Sequence, residues 1–83
     1  MKLIYFAWLR ERIGLTEEVV DLPPDVRTIE DLMQWLSERD EAHAHAFGNR
    51  RIVRAAIDRR HVKPAASIAG AGEIAFFPPM TGG

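Results

Sequence analysis

The spacing of hydrophobic and polar residues changes along the chain, and the first pattern predicts a strand. Residues 2–9, KLIYFAWL, are rich in β-branched and aromatic side chains, which strands favour. Alternation divides this predicted strand into two faces, one with Leu3, Tyr5 and Ala7 and the other with Lys2, Ile4 and Phe6. The charge of Lys2 indicates that the second face is the wetter one.

Four further strands are predicted from shorter apolar runs, at residues 17–22, 51–57, 61–63 and 73–77. Residues 10–14 predict a short helical turn that Gly14 closes. Two consecutive prolines, Pro23 and Pro24, end the second strand because they cannot donate to a sheet. The small, turn-rich residues 64–72 predict a loop before the last strand.

The main helix is predicted over residues 28–40, TIEDLMQWLSERD. Its apolar residues recur at the helical spacing i, i+3, i+4, i+7, namely at Ile29, Leu32, Met33 and Leu36. Thr28 is a good N-cap, and Asp31 three residues later completes a weak capping box. Residues 41–47 add another helical turn.

This element order, ββαβββ, predicts the fold class. The first and last strands are the most hydrophobic, which suits adjacent central positions in one sheet. We therefore expect an α+β roll of the β-grasp (ubiquitin-like) type, a mixed sheet with one main helix packed across it. The 83 residues make one domain, with residues 1–77 as the β-grasp body and residues 78–83 as an extended tail.

Composition excludes several kinds of site and partner. The chain has no cysteine, which excludes disulfides, iron–sulfur clusters, thiolate zinc sites and a cysteine nucleophile, and suggests a cytoplasmic location. A net charge of −1 gives no electrostatic case for nucleic acid. The apolar run at residues 3–9 is far shorter than the ~20 residues of a membrane-spanning helix, so no membrane association is expected.

The charged residues offer little catalytic chemistry. His43 and His45 would point about 200° apart on a helix, so no shared metal ion is expected. Six of the eleven basic residues fall between Arg50 and Lys63, where Asp58 is the only acid. This pattern favours a solvated hairpin whose charges discourage edge pairing, and it leaves open a surface for an acidic partner. Without a phosphate-binding loop or a nucleophile–base pair, the chain is not expected to be an enzyme on its own.

The C-terminal segment PPMTGG is the candidate reactive site. Pro78 and Pro79 fix φ and lack N–H groups, so the sheet cannot continue through them. The six residues to Gly83 reach about 20 Å at ~3.3 Å each, and glycines can thread a narrow channel. The useful group at this end is the Gly83 α-carboxylate. Coupling to AMP would make it open to a sulfur nucleophile, which predicts a sulfur carrier with no stably bound cofactor.

The ending FFPPMTGG, the opening LIYFAWLRERIG and the helix start TIEDL resemble the small subunit of molybdopterin synthase, a ubiquitin-like sulfur carrier. The resemblance covers essentially the whole chain. It implies that an adenylating, E1-like activating enzyme uses ATP on Gly83 and that sulfur transfer makes a thiocarboxylate. It implies further that the tail enters the large catalytic subunit of a heterotetramer and gives sulfur to cyclic pyranopterin monophosphate, which forms the molybdopterin dithiolene. The inserted tail would be Pro78, Pro79, Met80, Thr81 and Gly82.

The same resemblance implies that Phe6 and Phe77 dock on both partners, and it places His61 at a contact position where an aliphatic residue is expected. We expect Phe77 rather than Phe76 to be exposed, because the tail leaves from it. The turn Gly70-Ala71-Gly72 replaces the acidic turn of relatives, and both departures bear on partner affinity. Two alternatives stay open: a sulfur carrier for thiazole or tRNA thiolation, and a β-grasp interaction domain with an inert tail.

Overall fold

The structure, a computed structural model, describes residues 1–79. Its strands are β1 (Lys2–Tyr5), β2 (Glu17–Val19), β3 (Arg54–Ile57), β4 (Arg60–Val62) and β5 (Glu73–Phe77). Its helices are α1 (Ala7–Ile13), α2 (Ile29–Ser37) and α3 (Glu41–Ala46), and a 3-10 turn covers Arg50–Ile52. The sheet order is β2-β1-β5-β3-β4, with β1 and β5 parallel and the other pairs antiparallel. The predicted β-grasp fold is confirmed, with the first and last strands at the centre.

The core lies between one face of this sheet and the helices. Alternate residues of the two central strands are fully buried there: Leu3, Tyr5, Ile74 and Phe76. Leu32 and Leu36 of α2 are fully buried in the same cluster, as predicted for the apolar helix face. Phe47, at the end of α3, meets Phe76 edge to face with ring centroids 5.1 Å apart. The helices therefore cover one side of the sheet and leave the other side open.

The first strand is shorter than predicted. It ends at Tyr5 rather than at Leu9, and α1 begins at Ala7, whose φ of 54° turns the chain out of the sheet. The prediction that Ala7 shares the core face of the strand is therefore wrong. Leu9 and Ile13 are buried four residues apart, a helical spacing that the continuous apolar run hid.

Other element boundaries also shift. The second strand ends at Val19 rather than Leu22, and the third begins at Arg54 because the residues before it form the 3-10 turn. Three helices occur in the described residues: the predicted main helix, and two short helices at the places where helical turns were predicted over residues 10–14 and 41–47. Gly14 closes α1 with φ of 86°, as expected of a left-handed C-cap.

The capping box of α2 is confirmed and complete. Thr28 Oγ1 accepts from the Asp31 N–H at 3.1 Å, and Asp31 Oδ2 accepts from the Thr28 N–H at 3.2 Å. These reciprocal bonds satisfy N–H groups that the first helical turn would otherwise leave without partners.

A polar cluster that the sequence did not predict joins β2 to α3 beneath the sheet. Glu18 Oε2 lies 2.7 Å from Tyr5 Oη and 2.7 Å from Nε2 of the buried His43. His43 Nδ1 lies 2.8 Å from Asp40 Oδ1, and Arg39 Nη1 lies 3.0 Å from Glu18 Oε1. Because carboxylates accept and do not donate, both His43 contacts are hydrogen bonds only when the ring carries two protons. With the ring in that state, the negative charges of Glu18 and Asp40 balance the positive charges of His43 and Arg39.

The cluster shifts the pKa of its members. Burial raises the pKa of Glu18, but hydrogen bonds from His43 and Tyr5 and the charges of His43 and Arg39 outweigh it, so this pKa lies below its ordinary value. Burial, and then the bond to Glu18, raises the pKa of Tyr5. A lowered carboxyl pKa contributes stability that is present above the unfolded value, about 4.3 for Glu, and is lost as the pH falls through the folded value.

Replacing Glu18 by Gln should expose this contribution. At neutral pH we expect the free energy of unfolding in urea to fall by about 1–3 kcal/mol, since a charged hydrogen-bond acceptor is lost. Because Gln does not titrate, the variant should lose less further stability than the parent between about pH 5 and about pH 3. Glu17→Gln, on the exposed side of the same strand, is the matched control and should change little. Parallel pH profiles for the parent and Glu18→Gln would contradict the assignment.

Candidate functional site

The open face of the sheet forms a groove of about 670 Å3. Its walls come from the strand residues that alternate with the core residues, which is why one sheet supplies both surfaces. The lining residues are Lys2, Ile4, Phe6, Ala56, Arg59, His61, Glu73, Ala75 and Phe77. Lys2, Ile4 and Phe6 thus share the face that the alternation predicted.

Parallel pairing of β1 and β5 brings two phenylalanines to one end of this groove. Tyr5 pairs with Phe76, and the Phe6 N–H donates to the Phe76 carbonyl oxygen at 3.0 Å. The residues at the ends of this pairing, Phe6 and Phe77, both line the groove. Phe6 is 47% exposed, an unusual position for a large apolar side chain unless a partner covers it.

His61 contributes a ring contact with Phe77 at this aromatic end. Its ring centroid lies 5.1 Å from that of Phe77, with the planes tilted by 45°. The contact reaches across β3, where Ala56 pairs with both His61 and Ala75 and presents only a methyl group. Phe77 is half-buried beneath this histidine, while Phe76 is fully buried in the core. The expectation that Phe77 takes the outer face is correct, although it is less exposed than a free side chain.

The opposite end of the groove is charged. Lys2 pairs in register with Glu73, and its Nζ lies 3.5 Å from Glu17 Oε2. Arg59 stands in the turn between β3 and β4 at the same end. The groove is therefore polar at one end and aromatic at the end from which the chain leaves the sheet.

Hydrogen bonds from the β3–β4 turn fix the start of β5. Asp58 and Arg59 form a two-residue hairpin turn with φ of 47° and 71°, the left-handed values that such turns require. Asp58 Oδ1 accepts from the Gly72 N–H at 3.0 Å and from the Glu73 N–H at 2.9 Å. A Cβ at Gly72 would lie 3.0 Å from that same oxygen. The Gly70-Ala71-Gly72 turn thus has a structural reason to end in glycine.

The tail follows directly from the aromatic end. Pro78 and Pro79 come after the last residue of β5 and are half-buried. Met80, Thr81, Gly82 and Gly83 lie outside the described residues, so their predicted roles stay predictions.

The other candidates from the sequence do not gather into a site. His43 is bonded to Glu18 and Asp40, and His45 is exposed on the same helix. Across residues 1–79, no three histidine or acidic side chains cluster as metal ligands would. Within that range, no helix has the length and apolarity needed to cross a bilayer.

A protein-family model matches residues 3–83. The chain belongs to the ThiS family. It is also similar to two curated proteins named molybdopterin synthase sulfur carrier subunit. The one from Escherichia coli (strain K12) is 33% identical over 85 residues, spanning 100% of this chain and 99% of the relative. The one from Haemophilus influenzae (strain ATCC 51907 / DSM 11121 / KW20 / Rd) is 30% identical over 83 residues, with the same coverage.

A solved structure agrees with the ThiS-family assignment. The crystal structure of small archaeal modifier protein 1 from Haloferax volcanii superposes with a TM-score of 0.72 at 25% identity, covering 96% of this chain and 97% of that chain. The two relatives confirm the resemblance to the small subunit of molybdopterin synthase, and the solved structure confirms the ubiquitin-like fold of this ThiS-family chain.

Sequence reasoning found the aromatic end of the groove but missed other parts of it. Ala56 and Arg59 line the groove because of strand register and the hairpin turn, which one strand considered alone does not reveal. If the alternation of side chains along β3 is combined with its pairing to β5, Ala56 and Ala75 fall opposite each other on the open face.

Adjacent phenylalanines in this ThiS-family chain provide a test of the two faces. Phe76→Ala removes a fully buried ring, and the free energy of unfolding should fall by about 3–5 kcal/mol. Phe77→Ala removes a ring from the open groove, and we expect a loss of about 1 kcal/mol, mainly from its contact with His61. Urea denaturation measures both. Equal losses would mean that Phe77 belongs to the core.

Proposed function

We propose that this ThiS-family chain is the sulfur carrier subunit of a molybdopterin synthase. The observation that supports the proposal most is the continuity of the aromatic end of the open groove with the start of the tail. The two curated relatives are named as that subunit, and the similarity extends over 100% of this chain and 99% of each relative. The chain is not catalytic on its own in this proposal, because it carries the sulfur that its partners load and unload.

The reactive group in this proposal is the α-carboxylate of Gly83. A carboxylate oxygen attacks the α-phosphorus of ATP, pyrophosphate leaves, and an acyl adenylate forms on the activating enzyme. Hydrosulfide from the sulfur source then attacks the carbonyl carbon and AMP leaves, and loss of the remaining S–H proton gives a thiocarboxylate. Activation is needed because the unmodified carboxylate would have to expel oxide. ATP is consumed by the activating enzyme, and this chain holds no cofactor.

The loaded sulfur is then delivered to cyclic pyranopterin monophosphate in the large catalytic subunit. Pro78, Pro79, Met80, Thr81 and Gly82 form the inserted tail, and the two glycines pass where side chains would not fit. Each large subunit of a dimer takes one carrier, which makes a heterotetramer.

The open groove docks the partners in turn. Phe6 and Phe77 act as apolar anchors beside the tail, and His61 extends the contact across the sheet. Because the anchors and the tail leave from the same end of the sheet, docking places the carboxylate at a set distance inside the partner. Covering Phe6 also removes an exposed aromatic ring from water, which favours binding.

Deleting Gly83 should abolish formation of molybdopterin from the pterin precursor in a mixture with the large subunit, the activating enzyme, ATP and a sulfur source. Thermal unfolding should be almost unchanged, because the core cluster found among residues 1–79 is formed by residues between Leu3 and Phe76, before the tail begins. The full-length chain in the same mixture is the control. Normal product formation by the truncated chain would refute the role of the terminus, while a loaded full-length chain that fails only with the pterin would point to thiazole or tRNA thiolation.

Phe77→Ala should weaken binding to the large subunit by about 1–3 kcal/mol, the range for an anchor residue. Calorimetric titration of one subunit into the other measures this change. Ile52→Ala is the matched control, since Ile52 is an exposed apolar residue outside the groove. Unaltered affinity for Phe77→Ala would place the docking surface elsewhere and would favour a carrier that binds through its tail alone.

A further inference from the structure

A second groove lies on the helix side of β3, between α2 and the segments that flank the β3–β4 hairpin. Its floor is apolar and includes Met33 of α2, Val53 before β3 and Val62 of β4. Its volume is about 250 Å3, below the ~300–1,000 Å3 of typical small-molecule pockets. The floor is therefore suited to an aliphatic side chain rather than to a cofactor.

Four cations line this groove: Arg50, Arg51, Arg54 and Lys63. Among residues 1–79, none of the four lies within salt-bridge distance of a carboxylate. Arg50 donates to the side-chain oxygen of Gln34, and Arg54 Nη1 donates to the Arg51 carbonyl oxygen at 2.7 Å. These neutral acceptors orient the guanidinium groups without cancelling their charge.

The acid nearest in sequence does not neutralise them either. Asp58 lies in the turn at the far end of the hairpin, and its carboxylate accepts from the Gly72 and Glu73 N–H groups. A solvated hairpin that only discourages edge pairing would not need its cations gathered around an apolar floor. The combination favours a ligand that is both acidic and aliphatic.

A protein ligand fits this groove better than a nucleic acid. No aromatic side chain is present among the described residues that line it, so bases would have no stacking platform. The helix that forms one wall carries exposed Glu30 and Asp31 in its first turn, and the whole chain has a net charge of −1. These negative charges would repel a long polyphosphate that extends beyond the four cations. A short acidic peptide is small enough to contact the cations alone.

We propose that this basic groove binds an acidic segment of a partner protein, with one aliphatic side chain of the segment on the floor and its carboxylates on the surrounding cations. The groove does not compete with the open face. Ala55 lines the basic groove and its neighbour Ala56 lines the open one, so the two surfaces lie on opposite sides of β3. The chain is thus able to hold an acidic partner while its tail and open face engage another.

The test is a titration of the 15N-labelled full chain with an N-acetylated, C-amidated peptide, Glu-Asp-Glu-Leu-Glu-Asp-Glu. Amide shifts should change at Arg51, Val53 and Lys63 and stay constant at Ile4 and Phe77. The affinity should fall by roughly fivefold or more when the salt concentration rises from about 50 mM to about 300 mM, because screening weakens exposed charge pairs. Replacing the peptide's Leu by Ser should weaken binding as well, since the apolar floor is then unused.

Charge reversal provides the matched comparison. Arg51→Glu combined with Lys63→Glu changes two exposed residues of the groove and should weaken peptide binding at least about tenfold. Arg10→Glu combined with Arg12→Glu makes the same change of net charge on exposed residues of α1 and should retain most of the binding.

Three outcomes would overturn the proposal: equal affinity for the groove-reversed and parent chains, shift changes confined to the open face, or tighter binding of a thymidine oligonucleotide of equal charge. None of them bears on sulfur transfer. The proposed carrier role uses the opposite face and the tail, and it is tested separately by the deletion of Gly83.

Discussion

The parallel pairing of β1 with β5 is the constraint on which the rest of the structure depends. It places the first and last strands of the fold side by side at the centre of the sheet, in a register that sets Tyr5 opposite Phe76. That register sends both rings into the core and leaves Phe6 and Phe77 on the open face. A slip of one residue would reverse the faces of β5 and bury the wrong phenylalanine. The proposed docking surface and the point where the chain leaves the sheet are therefore consequences of the same set of backbone hydrogen bonds.

The helix side of the sheet stabilises this arrangement at the β2 edge. β2 has only three residues and lies at the sheet edge. Its backbone hydrogen bonds to β1 therefore hold it only weakly on their own. Glu18 extends the attachment by bonding Tyr5 and His43, which ties the edge strand to a central strand and to α3. The buried histidine is thus structural. Both of its ring nitrogens are bonded to carboxylates, Nδ1 to Asp40 and Nε2 to Glu18.

Sequence reasoning succeeded where local signals agreed and failed where tertiary contacts decided the outcome. β5 was predicted with its observed bounds because alternating apolar residues stand between a glycine-rich turn and two prolines, and α2 because Thr28 and Asp31 mark its start. The end of β1 was not predictable in this way, since LIYFAWL fits a strand and a buried helix equally well. The His43–Glu18 bond joins residues 25 positions apart, and no pattern within either segment indicates it. For the groove, alternation put Phe6 on the same strand face as Lys2. The docking role predicted for Phe6 came from the resemblance to known carriers.

The most direct measurement is the intact mass of the full chain after incubation with ATP, a sulfur source and the cognate activating enzyme, followed by fragmentation to locate any change. If the folded body presents Gly83 as the sulfur acceptor, the mass rises by about 16 Da, as oxygen is replaced by sulfur, and the gain maps to the C-terminal residue. An unchanged mass with an enzyme that loads a known carrier, or a gain at any other residue, would contradict the role assigned to the tail.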